Sequence, residues 1–177
     1  LVGSEMCIRD SSFKAIRDIP RVQGTRAHMA AQYVLFLSTL QMISDMPSEY
    51  MKEQKLLDFI AAVPTTWDDT KVIEGKMGDY VVIARRKGDK WYLGGMCGWG
   101  GKDVEIDLSK FLPEGKYLAK IVRDTINSDD IPEDYKIETK KVTSDTKLKL
   151  SMRSGGGFAV KFMPYKCCLL YTSPSPR

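Results

Sequence analysis

The chain has 177 residues, 43% of them apolar and 28% charged, with a net charge of +4. That length suits one domain, or a small domain with part of another. Eight Tyr, six Phe and three Trp exclude a disordered chain. The longest apolar stretch, Tyr33–Ile43, is broken by Ser38, Thr39 and Gln41, and falls well short of the about 20 residues a membrane-spanning helix needs. The positive excess is spread thinly, so no nucleic-acid partner is expected.

The two ends read as foreign. LVGSEMCIRDS (Leu1–Ser11) and CLLYTSPSPR (Cys168–Arg177) show neither helical nor strand periodicity. A DNA string encoding the first contains, on its complementary strand and in a shifted frame, a string encoding the second. Such an inverted repeat resembles the transposase adapter of sequencing libraries, and processing scars are excluded from fold reasoning. Glu5 and Asp10 interrupt any apolar run that could make the first segment a signal peptide. The expectation is that residues 1–11 and 167–177 are adapter-derived, and that residues 12–166 are a fragment cut at both ends. Of the four cysteines, Cys7 and Cys168 then fall in the adapter and Cys167 at its junction, which leaves Cys97.

Ser12–Gly24 is polar, contains Pro20, and reads as a loop. Thr25 can cap a helix in which Ala27, Ala30, Ala31, Val34 and Leu35 recur at i, i+3, i+4, i+7 and i+8, one apolar face over Thr25–Leu37. Its small alanines suggest close approach to another element. Leu40–Ser44 is a short apolar run, either a buried strand or the helix continuing, and Asp45-Met46-Pro47 ends it. Ser48 is a good N-cap for a second helix over Glu49–Ala62, with Leu56, Phe59, Ile60 and Val63 on its apolar face and Pro64 as its stop. Beyond Pro64 the period changes from 3.6 to 2. Strands are expected at Lys71–Glu74, Tyr80–Arg86, Lys90–Met96, Val104–Leu108, Tyr117–Arg123, Lys136–Val142, Lys147–Leu150 and Phe158–Phe162, separated by turn-forming Gly, Pro, Asn and Asp clusters. Short strands at this spacing read as an antiparallel sandwich over residues 65–166. Residues 12–64 are too short to bury their own apolar faces. Helix, short apolar strand and helix fit the last units of a (β/α)8 barrel, so the fold class is an α+β fragment: the end of a barrel followed by an all-β sandwich.

Few residues carry a chemical signal. His28 is the only histidine. It sits in the first turn of the first helix and reads foremost as a packed or hydrogen-bonded residue, with a site role as the alternative. Cys97 lacks a CxxC partner, so zinc and disulfides are not expected, and it reads as a small buried strand residue. Asp68-Asp69 and Asp129-Asp130 lack the spacing of a calcium loop and read as solvated turn charges. Asp45 follows the Leu40–Ser44 run, and carboxyl ends of barrel strands face the active site, so it is a weak substrate-binding candidate beside His28. The glycine-rich run Gly94–Asp103 is followed by no helix, which weakens a phosphate site. Its Trp99 either stacks on a sugar or covers a sandwich edge. Gly155–Gly157 reads as a turn before the last strand.

Gly24–Tyr50 (GTRAHMAAQYVLFLSTLQMISDMPSEY), Ala61–Met96 with its VPTTWDDTK and ARRKGDKWYLGGM segments, Asp107–Asp129 and Leu148–Phe162 together resemble the C-terminal part of glycoside hydrolase family 97, the calcium-dependent α-glucosidases and α-galactosidases. The resemblance implies an N-terminal β-sandwich, a catalytic barrel and a C-terminal sandwich. It also implies cleavage of terminal α-glycosidic bonds by carboxylates and a bound Ca²⁺ at the barrel mouth. Those acids and the metal ligands would lie upstream of Ser12, leaving no catalytic and no metal residue in this fragment, and any export signal to a bacterial periplasm or envelope would lie upstream too. The partners implied are an α-linked oligosaccharide and, through the C-terminal sandwich, a second copy of the chain.

Three readings compete. In the first the sandwich is a structural and oligomerisation module, and the fragment alone is inactive. In the second it is a carbohydrate-binding module in which Trp91, Tyr92 or Trp99 stacks on sugar. The third, a cell-surface adhesion sandwich, leaves residues 12–64 unexplained. Both helices are expected to expose their apolar faces, since their barrel neighbours would be missing.

Overall fold

The computed structural model describes residues 24–41 and 47–165. Its first helix, α1, is Arg26–Leu35. Thr25 caps it as the sequence suggests, its side chain accepting the His28 N–H at 3.1 Å. The second expected helix is broken in two, α2 over Pro47–Lys52 and α3 over Gln54–Ala61. Pro47 opens α2, where its missing N–H costs nothing, so Ser48 lies inside the helix rather than capping it. The break falls at Glu53, whose φ of −117° and ψ of 51° leave the helical region. Its carboxylate is engaged elsewhere, accepting from Arg26 Nη1 at 3.0 Å and from the Tyr135 hydroxyl at 2.7 Å. Residues 42–46, most of the Leu40–Ser44 run together with Asp45, lie outside the described residues.

All eight expected strands form: β1 Asp69–Lys76, β2 Tyr80–Lys87, β3 Lys90–Cys97, β4 Lys102–Asp107, β5 Lys116–Asp124, β6 Tyr135–Thr143, β7 Lys147–Met152 and β8 Gly157–Pro164. Six make an antiparallel sheet in the order β1-β2-β3-β8-β5-β6, and β4 and β7 pair as a second, smaller sheet. The main core lies between them. Val82, Leu93, Ile121, Phe158, Val160 and Phe162 of the large sheet meet Val104, Ile106, Leu148, Leu150 and Met152 of the small one. Each such side chain, fully buried, contributes about 1.5–3 kcal/mol.

The other face of the large sheet is also covered, which alternation along single strands did not reveal. Tyr92, Val122 and Ala159 pack against Ala27, Ala30 and Val34 of α1 and Leu56, Phe59 and Ile60 of α3. This corrects the expectation of exposed helix faces: those residues are buried, because the sheet supplies the surface they need. Small residues make the contact close. A Cβ at Gly94 would lie 3.0 Å from Val34 Cβ and 3.1 Å from Leu35 Cγ. Around the helices the exposed apolar residues are instead Phe36, Leu37 and Leu40, just past α1, and Met51 in α2.

The sheet's edges differ from its centre. β1 is mostly exposed, and its pairing with β2 shifts register between Val72 and Glu74, a bulge that turns Ile73 toward the core. β6 carries exposed Lys136, Lys140 and Lys141. Bulges and edge lysines both discourage further strand pairing.

Candidate functional site

The N-terminal end of α1 docks on the turn between β7 and β8 through a knot of polar groups. The Thr25 N–H donates to Gly155 O at 3.1 Å, and the Cys97 N–H to Gly156 O at 3.1 Å. His28 Nδ1 lies 3.1 Å from the same Gly156 carbonyl. Since a carbonyl only accepts, Nδ1 carries the proton. Burial pushes the His28 pKa below its ordinary value, outweighing Gly156 and the nearby Asp124 charge, which raise it. His28 is thus a half-buried helix residue held to the β7–β8 turn, with its pKa lowered by burial.

Asp124, which sequence reasoning missed, organises this turn. It is only 3% exposed, and its Oδ2 accepts the N–H groups of Arg153 at 3.1 Å and Gly157 at 2.9 Å. Burial raises its pKa, while hydrogen bonds from the Thr25 side chain and those two amides, and the His28 ring, lower it. Gly156 has no room for a side chain, since a Cβ there would run into Asp124 Oδ2 and lie 2.7 Å from the Arg153 backbone. The Cys97 thiol donates to Arg153 O at 3.1 Å, and burial pushes its pKa up, so it is no thiolate nucleophile.

The opposite end of α1 is held by Arg85, 1% exposed. It donates from Nη1 to Phe36 O and from Nη2 to Leu35 O, both at 2.8 Å, and lies 5.6 Å over the Trp67 ring. A cation suits the partial negative charge at a helix C-terminus. Arg85 sits in the strand run VVIARR, where nothing in the sequence marks it as buried. Beside it in the sheet, β1, β2 and α1 enclose a groove of about 560 Å³ lined by apolar Phe36, Val72 and Met77 together with His28 and Gln32.

The acidic pairs stand apart. Asp68 accepts from the Gly88 N–H at 2.7 Å and Lys87 Nζ at 3.0 Å, and these partners hold its carboxyl below the usual range. Asp129 pairs with Arg153 at 3.5 Å. Among the described residues no three His, Cys, Asp or Glu side chains converge as a metal site, so the Ca²⁺ implied by the resemblance does not fit these residues. Of the candidate sugar-stacking aromatics, Trp91 and Tyr92 are excluded: at 4% and 3% exposure they fill the two cores on opposite faces of β3. Trp99 is 60% exposed. Asp45 lies outside the described residues.

Two antiparallel sheets packed face to face, with helices on the outer side of the larger, define a β-sandwich protein. Residues 66–163 match the family described as glycosyl-hydrolase 97 C-terminal, oligomerisation, and the chain belongs to that family. It is 46% identical over 142 residues to a retaining α-galactosidase of Bacteroides thetaiotaomicron, covering 80% of this chain and 21% of that protein. A probable retaining α-galactosidase of Streptomyces bingchenggensis is 28% identical, over 71% of this chain and 19% of its own. Among solved structures, a glycoside hydrolase family 97 enzyme from Pseudoalteromonas sp. strain K8, in complex with acarbose, superposes with a TM-score of 0.78 at 36% identity, over 83% of this chain and 24% of that one. A β-arabinopyranosidase superposes with a TM-score of 0.67 at 30% identity, over 78% of this chain and 21% of that one. The chain thus spans about a fifth of the length of the curated relatives it matches.

Proposed function

We propose that this chain is the C-terminal part of a glycoside hydrolase that cleaves terminal α-glycosidic bonds, and that its sandwich is a structural and self-association module. The observation that carries the reading is the family match over residues 66–163, together with 46% identity over 142 residues to a retaining α-galactosidase. That relative is named as a retaining α-galactosidase and the Streptomyces protein as a probable retaining α-galactosidase, which favours an α-galactoside substrate and retention of configuration.

Residues 12–64 would be the last units of the catalytic barrel. In such a barrel each helix runs away from the catalytic face and the next strand returns to it. Thr25 would then lie toward the catalytic face, Leu35 away from it, and Asp45 back at the rim. The reacting carboxylates would lie upstream. One, its pKa raised by its surroundings, protonates the leaving oxygen, and the second attacks the sugar or activates water. Calcium would be held by upstream residues as well. This chain's own contribution is to support the barrel: Arg85 grips the end of α1, the Asp124 turn grips its start, and the Tyr92 hydroxyl donates to Ala62 O at 2.9 Å at the end of α3.

The test is to recover the upstream coding region and assay the complete protein on nitrophenyl α-galactoside and α-glucoside beside the 177-residue chain. Hydrolysis by the complete protein and none by the chain is expected. Hydrolysis by the purified chain, or none by the complete protein, overturns the proposal.

A further inference from the structure

The sequence scatters its lysines and arginines, and the strand register gathers several of them at one end of the sandwich. That end is the β2–β3 hairpin, at the far end of β3 from Cys97 and the Asp124 turn. Arg86 of β2 stands opposite Trp91 of β3, and Lys71 of β1 opposite Ala84 of β2. Cross-strand partners share a face, so both cations lie on the side where Ala84 and Trp91 join the main core. Lys71 Nζ is 5.5 Å from the Trp91 ring centroid, and Arg86 Nη1 donates to Gly88 O at 3.2 Å. Asp69, the cross-strand neighbour of Arg86, accepts instead from the Thr70 N–H at 2.8 Å. Neither cation forms an ion pair among the described residues. Charge at the margin of an apolar core without an ion pair costs solvation that packing does not return.

Lys71 and Arg86 line a hollow of about 570 Å³ together with Lys110, Asp89, Pro113 and Pro164. Its wall thus carries three cations and one carboxylate. The positive charge continues on the outer face of the same end. Lys161 of β8 stands directly opposite Lys120 of β5, a like-charge pairing that destabilises a sheet. Burial, and then the neighbouring Lys90 and Lys120 charges, lower the Lys161 pKa. A concave site whose surroundings carry one sign of charge concentrates ions of the other. A hollow of this volume takes a small molecule rather than a polymer. Between its cations the wall is apolar. A bare, strongly hydrated ion gives up water there for little return, whereas a carboxylate on a small apolar ring suits both parts of the wall.

We propose that the hollow bounded by Lys71, Arg86 and Lys110 is a binding site for a small organic carboxylate. The carboxylate accepts from the Arg86 guanidinium, which spends one donor on Gly88 O and keeps the others for a ligand. Lys71 and Lys110 add charge on either side, and the apolar body of the ligand rests against Pro113 and Pro164. The site stands at the opposite end of β3 from the joint between α1 and the sandwich, and it does not depend on the hydrolase reading.

The test titrates the isotope-labelled 177-residue chain with cyclohexanecarboxylate, its neutral analogue cyclohexylmethanol, and inorganic phosphate, and follows N–H shifts by NMR. The indole N–H groups of Trp67, Trp91 and Trp99 give separate resonances, so Trp91 is read by itself. Saturable shifts at millimolar carboxylate are expected for the Trp91 indole and the Lys71 and Arg86 amides, with weaker binding of phosphate and none of the alcohol. Kd should rise at least about fivefold in Arg86→Gln. Lys110 is exposed, so Lys110→Gln leaves the fold intact, and it should raise Kd at least about twofold. Lys149→Gln, on β7 and away from the hollow, should leave Kd unchanged. No saturable shift, equal binding of the alcohol or of phosphate, or a Kd unchanged in both Arg86→Gln and Lys110→Gln overturns the site. Because binding is read without catalysis, failure here leaves the hydrolysis assay of the complete protein standing, and failure of that assay leaves this result standing.

Discussion

Replacing Asp124 with alanine probes the joint between α1 and the sandwich. Its Oδ2 is the shared acceptor for the Arg153 and Gly157 amides, and at 3% exposure no water takes its place readily. Each buried donor left unsatisfied costs about 1–3 kcal/mol, so two would cost about 2–6 kcal/mol. The gain from no longer burying a carboxylate, whose desolvation raises its pKa, offsets part of this. The expected net loss is about 2–4 kcal/mol, a large share of the about 5–15 kcal/mol that holds a typical domain together. Asp124→Asn keeps an acceptor oxygen and loses the charge assistance, so about 1–2 kcal/mol is expected. Urea unfolding with linear extrapolation gives both values, and amide exchange at Gly157 should quicken in the alanine variant. A loss below about 0.5 kcal/mol for Asp124→Ala would refute the reasoning, as would equal losses for the two variants.

Two further outcomes follow from the same joint. His28 is neutral in the folded chain because burial lowers its pKa, so the unfolded chain takes up a proton first as pH falls below about 6.5. Stability should be fully present above that pH and decline below it, toward the lowered native value, by up to about 1.4 kcal/mol per pH unit; His28→Gln should flatten the decline in urea titrations across that window. Asp124, with its pKa raised by burial, contributes with the opposite sign, losing stability as pH rises through its native value. Gly94→Val would drive a side chain into Val34 and Leu35; overpacking of this kind costs about 1–3 kcal/mol, and thermal unfolding should show it as a lowered Tm with faster amide exchange in α1.

The eight strands, their turns, the Thr25 cap and the apolar stripe of α1 were determined by the sequence alone. Each rests on local chemistry: a period of 2 or 3.6, a hydroxyl three residues before an amide, a glycine at a turn. Cys97 was legible for the same reason, as a small strand residue without a CxxC partner, and it is buried at the end of β3. What only the tertiary structure decided depends on contacts between distant segments. Glu53 breaks the second helix because Arg26 and Tyr135 bind its carboxylate from far along the chain. Arg85 and Asp124 look like surface charges until α1 and the β7–β8 turn close over them. Trp91, Tyr92 and Trp99 lie within one short stretch and appeared equivalent as sugar platforms. Pleating sends the first two to opposite faces of β3, and both faces are covered, one by β4 and β7 and the other by helices. Local periodicity can say that a strand has two faces; how many of them are buried is set by what the rest of the chain lays against the sheet.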